Sequence, residues 1–157
     1  MPGSLYVVST PIGNLDDITL RALTTLKSVG LIAAEDTRRT AMLLRHFGIS
    51  TSTTSLHEHN ERQKLPRLLQ TLAEGVDVAL VSDAGTPLVA DPGQRLIAAA
   101  IAAGVRIVPI PGPSALLSAL TVSGFAADEF VFGGFVPSRS NARKKWLSRF
   151  RDEPRLV

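Results

Sequence analysis

An α/β fold, a mostly parallel sheet flanked by helices, follows from two observations in this 157-residue chain. Apolar runs of strand length alternate with segments whose apolar residues recur at helical spacing, the pattern of repeated strand–helix units. The runs are also nearly continuous, without apolar–polar alternation, as strands are when helices cover both faces of a parallel sheet.

The first strand is LYVVS at 5–9, and Ile18, Ala22, Leu26 and Val29 then trace one face of a helix stopped at Gly30. LIAAE at 31–35 is the second strand, followed by a helix running through Met42 and Phe47. TTSLHEHN at 53–60 reads as a further short strand with a polar exit. Leu65, Leu68, Leu69 and Leu72 mark the next helix, with Gly75 as its stop, and VDVALVS at 76–82 the next strand. Ile97, Ala100 and Ile101 lead to a stop at Gly104, and VRIVPI at 105–110 closes the series. Beyond Gly124 the texture changes: FVFGGFVPSRSNARKKWLSRF predicts a strand, a Pro turn and a basic amphipathic helix, and EPRLV begins another apolar run. These features place one α/β domain over 1–123 and the start of a second α/β domain over 124–157, with its remainder expected outside this chain.

Composition narrows the chemistry. With no cysteine, disulfides, thiolate catalysis and Cys-ligated metal centres are excluded. No apolar run approaches the roughly 20 residues of a membrane span. The N-terminal MPGSLYVVSTPIG lacks a basic segment leading into a long apolar one, so an unexported, cytoplasmic protein is expected. The net charge of +3 is uneven: seven basic and two acidic residues follow Pro137, against ten and twelve before it. Lys144, Lys145 and the surrounding arginines are suited either to phosphates or to a solvated helix face.

In parallel sheets ligands bind at the carboxyl edge, so the strand exits matter most. They read Thr10-Pro11-Ile12-Gly13-Asn14, Glu35-Asp36-Thr37-Arg38-Arg39, Asp83-Ala84-Gly85-Thr86-Pro87 and Pro111-Gly112-Pro113-Ser114-Ala115. Gly and Pro dominate three of the four. Such loops make tight turns, and they also bring main-chain groups close to a ligand. Neither GxGxxG nor GxxxxGK[ST] occurs at a strand exit, which argues against dinucleotides and nucleoside triphosphates. A nucleoside without phosphates, such as S-adenosylmethionine, fits what remains.

Candidate proton acceptors on this edge are Glu35, Asp36, His57 and Glu58. Asp36 is equally placed to cap the following helix, and His57 to be structural. Arg38 and Arg39 are available to a substrate phosphate or to these carboxylates. Asp83 and Asp91 flank the third loop, where they either serve the ligand or brace its turns. His57-Glu58-His59 lacks a third ligand for a metal, and no metal site is expected.

STPIGNLDDITLRA (9–22), AAEDTRRT (33–40), LVSDAGTPLVADPG (80–93) and PIPGPSALLSAL (109–120) occur in this order and spacing. With them the chain resembles the tetrapyrrole methylase superfamily along essentially its whole length. EDTRRT and SLHEHNE make it similar to the branch that methylates a cytidine 2′-hydroxyl in small-subunit ribosomal RNA. The resemblance implies a two-domain methyltransferase, generally homodimeric, with S-adenosylmethionine in the cleft between domains. It implies cofactor contacts at Pro11, Gly85, Thr86, Val89, Ala90, Ser114 and Ala115, with Asp83 beside them. Tetrapyrrole-modifying relatives typically carry Gly-Asp-Pro where this chain has Gly85-Thr86-Pro87, a departure that favours the RNA branch. The alternatives are a corrin or porphyrin-precursor methylase and a cofactor-binding module without turnover.

Overall fold

A computed structural model describes all residues 1–157. The chain divides into two compact units, Met1–Ala115 and Leu116–Val157.

The first unit holds β1 (Ser4–Val8), α1 (Leu20–Ser28), β2 (Leu31–Ala34), α2 (Thr37–His46), β3 (Thr53–Ser55), α3 (Glu61–Ala73), β4 (Val78–Val81), α4 (Gln94–Ala102) and β5 (Arg106–Ile110). The sheet order is β3-β2-β4-β1-β5, and every pairing is parallel. Alternation along the strands divides the core between two faces. In β4, Ala79 and Val81 join Ala22 and Leu26 of α1 and Leu43 and Leu44 of α2. Val78 and Leu80 point the other way, to Leu68 and Leu72 of α3 and Leu96 and Ala100 of α4. Because β4 is buried at every position, it reads as a continuous apolar run. The expected α/β fold is thus observed, with α1 and α2 on one face and α3 and α4 on the other.

Gly75 and Gly104 end their helices at positive φ, +88° and +70°, conformations that tolerate glycine best. Gly30 serves differently. Its backbone is not left-handed, and an added Cβ would lie 2.5 Å from Val76 Cγ1, so close packing selects glycine there. The face of α4 is also shifted from the expected one. Leu96 and Ala100 are buried, while Ile101 is 61% exposed because the helix turns it away from the sheet.

In the second unit, α5 (Ala115–Val122, its first residue in the first unit) and α6 (Ser140–Ser148) form. The strand expected in FVFGGFV does not: Phe130 makes an isolated parallel bridge to Leu156, and Val131 N–H donates to Leu156 C=O at 2.7 Å. One bridge satisfies too few backbone groups to sustain a strand. The basic helix is as expected. Trp146 and Phe150 meet edge to face at 4.8 Å over Gly133, where a side chain would collide with both rings.

Candidate functional site

The strand order creates the site. β4 feeds α4 on one face, whereas its neighbours β1 and β2 feed α1 and α2 on the other. Chains leaving adjacent strands in opposite directions open a crevice at the carboxyl edge, and here crevices flank β4 on both sides. The loop from Ser82 to Gly93 lies between them.

On the β1 side the loops are sewn together by backbone. Thr10 and Gly85 exchange two N–H···O=C bonds, each 2.9 Å. Gly85 has φ +79°, and a Cβ there would lie 3.4 Å from Ile12 Cγ2 and 3.9 Å from Pro113 O. Thr86 Oγ donates to Pro113 C=O at 3.2 Å, which leaves Ser9 to donate to Thr86 Oγ at 3.2 Å. The exits of β1, β4 and β5 therefore share one hydrogen-bonded seam. Beside it, Thr10, Pro11, Leu15, Arg39, Ser82 and Asp83 line a cavity of about 330 Å³. Leu88 (φ 75°) and Ala90 (φ 63°) also adopt left-handed backbone, each a cost of about 1–3 kcal/mol that clusters at functional loops.

On the β2 side the seam is made by side chains. Asp36 N–H donates to Asp83 Oδ1 at 3.0 Å, and Asp83 N–H donates to Glu35 Oε2 at 3.2 Å. Arg39 reaches Asp83 Oδ2 at 3.5 Å. Two strand exits far apart in sequence thus latch each other with their first carboxylates. Burial raises the pKa of the Glu35 carboxyl; the Asp83 N–H opposes the rise, and the charges of Asp83 and Asp91 add to it. Burial likewise raises Asp91, with Ser82 opposing and Asp83 adding. Asp36 is the opposite case. It caps α2 through Arg38 N–H at 2.8 Å and is gripped by the Arg38 guanidinium, which holds its pKa at about 2.

Glu35 and Asp91 also line a cleft of about 560 Å³ with His57, Glu58, Ala90 and Arg95. His57 Nδ1 is buried there without a hydrogen-bond partner, an arrangement that calls for an occupant or a role. The turn holding His57 is set by Asn60, whose Oδ1 accepts from His57 N–H at 2.9 Å while its Nδ2 donates to Ser55 Oγ at 3.0 Å. Glu61, buried, accepts from Arg95 and Leu96 N–H and so caps α4 from α3, where Gly93 offers no side-chain cap.

Of the sequence candidates, Pro11, Glu35, Asp36, Arg39, His57, Asp83, Gly85, Thr86 and Ala90 thus gather at this edge. Val89 is exposed in the same loop, and Ser114 and Ala115 follow the β5 exit. Arg38 is committed to Asp36. Lys144 and Lys145 are exposed on α6, in the second unit. Sequence reading missed Ser9, Asn60 and Glu61. Asn60 and Glu61 had a faint signal, polar residues opening a helix, but Ser9 looked like the last residue of a strand.

Residues 4–156 match the model of the tetrapyrrole (corrin/porphyrin) methylases. Ribosomal RNA small subunit methyltransferase I of Escherichia coli is 54% identical over 155 residues, 99% of this chain and 54% of that protein. The protein of the same name from Pseudomonas aeruginosa is 52% identical, over 99% of this chain and 55% of its own length. The chain spans about half the length of the curated relatives it matches. Among solved structures, uroporphyrin-III-C-methyltransferase from Thermus thermophilus superposes with a TM-score of 0.60 at 22% identity, over 80% of this chain and 55% of that one, a likeness of fold.

Proposed function

The chain belongs to the tetrapyrrole (corrin/porphyrin) methylase family, and from that membership we propose that it is the donor-binding part of an S-adenosylmethionine-dependent methyltransferase acting on small-subunit ribosomal RNA. The acceptor in this reading is a cytidine 2′-hydroxyl, and the protein works in the cytoplasm as a homodimer. The observation that carries the proposal is the double crevice around Ser82–Gly93 in a chain more than half identical to ribosomal RNA methyltransferases.

The residues present suit such a donor. Glu35, Asp83 and Asp91 give the edge negative charge, which favours a sulfonium and disfavours a polyphosphate. Gly85, whose φ of +79° disfavours any side chain, leaves main chain to face a nucleoside. Pro11, Gly85, Thr86, Val89, Ala90, Ser114 and Ala115 would form the contact surface, and Thr86 would act chiefly by bracing the loops, since its hydroxyl is already engaged.

The bound donor supplies an electrophilic methyl group; the protein's task is to align an acceptor oxygen behind it and remove that oxygen's proton. Glu35 is the best-suited acceptor of the proton. Its carboxyl is half-buried, held in place by Asp83 N–H, and raised above the usual carboxylate value by burial, which makes it the stronger proton acceptor of the carboxylates at this strand exit. Asp36, held near 2 by Arg38, is a poor base. His57, with its unpartnered Nδ1 in the same cleft, is suited to hold the acceptor nucleotide. Lys144 and Lys145 on the basic helix are proposed to meet RNA phosphates.

The test is methyl transfer from labelled S-adenosylmethionine to small ribosomal subunits by the natural polypeptide carrying this chain. Label on a cytidine ribose is expected. Label on an added uroporphyrinogen-type substrate and none on RNA would refute the proposal.

A further inference from the structure

The carboxyl edge of the first unit carries six carboxylates, Glu35, Asp36, Glu58, Glu61, Asp83 and Asp91, against three guanidiniums, Arg38, Arg39 and Arg95, of which the first two are paired with Asp36 and Asp83. Met1–Ala115 as a whole carries ten basic and ten acidic residues, so no general positive field offsets this edge. A polyanionic substrate approaching it must be held by cations at a defined place nearby.

Such a place exists between β3 and α3. Lys64 and Arg67, one helical step apart, line a groove of about 430 Å³ with the hydroxyl-bearing Thr53, Thr54 and Thr71, and no carboxylate lines it. Lys64 Nζ donates to Thr54 Oγ at 3.3 Å, which holds the ammonium over the groove. Neither cation is in an ion pair; the three ion pairs of the chain involve Arg38, Arg39 and Arg155. β3 is the edge strand, bonded only to β2, so its outer side also presents backbone polar groups. The groove and the cleft are built from the same strand–helix unit. His57 stands two residues beyond the end of β3, and Glu61, which lines the cleft, lies about 4.5 Å along the α3 axis from Lys64.

We infer that the β3–α3 groove is a phosphate-binding station, with Lys64 and Arg67 as its cations, that holds the backbone of an RNA strand whose target nucleotide enters the neighbouring cleft. The inference rests on the RNA reading above. Its chemistry is that of any phosphate: two cations meet the charge and the hydroxyls of Thr53 and Thr54 donate to the remaining oxygens, Thr71 being already engaged with the Arg67 carbonyl. It differs from the basic helix in belonging to the same unit as Glu35 and His57.

The experiment compares the wild-type chain with Lys64→Ala/Arg67→Ala and with Lys27→Ala/Arg106→Ala, which removes the same charge elsewhere. Lys64 is half-buried and Arg67 exposed, neither belongs to the core, and alanine is the best helix former, so α3 is retained. Inorganic phosphate, followed by amide NMR, is expected to shift Thr53, Thr54 and Thr71 in the wild type and the control but not in the groove variant. For a single-stranded RNA oligonucleotide followed by fluorescence anisotropy, losing two phosphate contacts flattens the log–log salt dependence by about 1.4. Between 50 and 200 mM salt the wild type then loses about seven-fold more affinity than the groove variant. Lys64→Glu should weaken RNA binding further than Lys64→Ala. RNA binding with an unchanged salt slope in the groove variant would overturn the groove while leaving the RNA reading intact. Phosphate shifts that depend on Lys64 and Arg67, in a chain that binds no RNA, would overturn the RNA assignment and leave a site for free phosphate.

Discussion

Asp83→Ala tests whether the latch between the β2 and β4 exits is as stabilising as its geometry implies. The substitution removes the acceptor of Asp36 N–H (3.0 Å) and the partner of Arg39 (3.5 Å), while the bond from residue 83 N–H to Glu35 survives. A hydrogen bond to a charged acceptor contributes about 1.5–3 kcal/mol and an exposed ion pair about 0–1 kcal/mol. The expected loss is therefore about 2–3 kcal/mol, a fall of roughly 1–2 M in the urea midpoint. Asp83→Asn keeps the acceptor oxygen, and it removes a charge that disfavours ionisation of Glu35 and Asp91, so its loss should stay below about 1 kcal/mol. Far-UV dichroism in urea, dominated by the sheet and helices of the first unit, reads the difference. Fluorescence of Trp146, the single tryptophan, follows the second unit separately. Equal losses for Ala and Asn, or a loss under about 0.5 kcal/mol for Ala, would refute the assignment of the latch to the Asp83 carboxylate.

Glu35→Gln retains an acceptor for Asp83 N–H but cannot ionise. Because the folded carboxyl titrates above its unfolded value near 4.5, the wild type loses stability as pH rises through that window. The variant should be the more stable protein at pH 7 and equal to wild type below that value in pH-dependent urea melts; a less stable variant at pH 7 would contradict the cause given. The Asp36 pKa is depressed to about 2, so its contribution is full above 3.8 and fades as pH falls toward 2. Asp36→Ala should lack that part of the acid slope, and an unchanged slope would count against the Arg38 grip. Gly85→Ala must hold a Cβ at φ +79°, a strain of about 1–2 kcal/mol. Calorimetry should then show weaker S-adenosylmethionine binding, with unchanged affinity refuting the placement of the donor at this loop.

The order of strands and helices was readable because burial imposes a period on the residues that meet the core. Ala22, Leu26, Leu68 and Leu72 sit where helical spacing put them, and β4 is apolar throughout because both its faces are covered. The strand expected in FVFGGFV did not form, since local apolarity cannot supply the neighbouring strands that a ladder needs. The strand-exit loops were also legible, their Gly and Pro content being a local backbone requirement. The roles of their side chains were not. Asp36 could be base or cap on sequence, and only the position of Arg38 around the first turn of α2 makes it a cap with a suppressed pKa.

By itself, then, the sequence determined the α/β class, the family and the four loops of the carboxyl edge, all of which depend on residues near one another in the chain. The tertiary structure alone decided that β4 stands between β1 and β2, which opens a crevice on either side of Ser82–Gly93. It alone set Glu35 against Asp83 and Lys64 against Thr54. The physical reason is that hydrophobic periodicity states which face of a strand is buried but not which strand lies beside it; parallel neighbours are chosen by the crossover helices, and contacts between their exits exist only once those helices have packed.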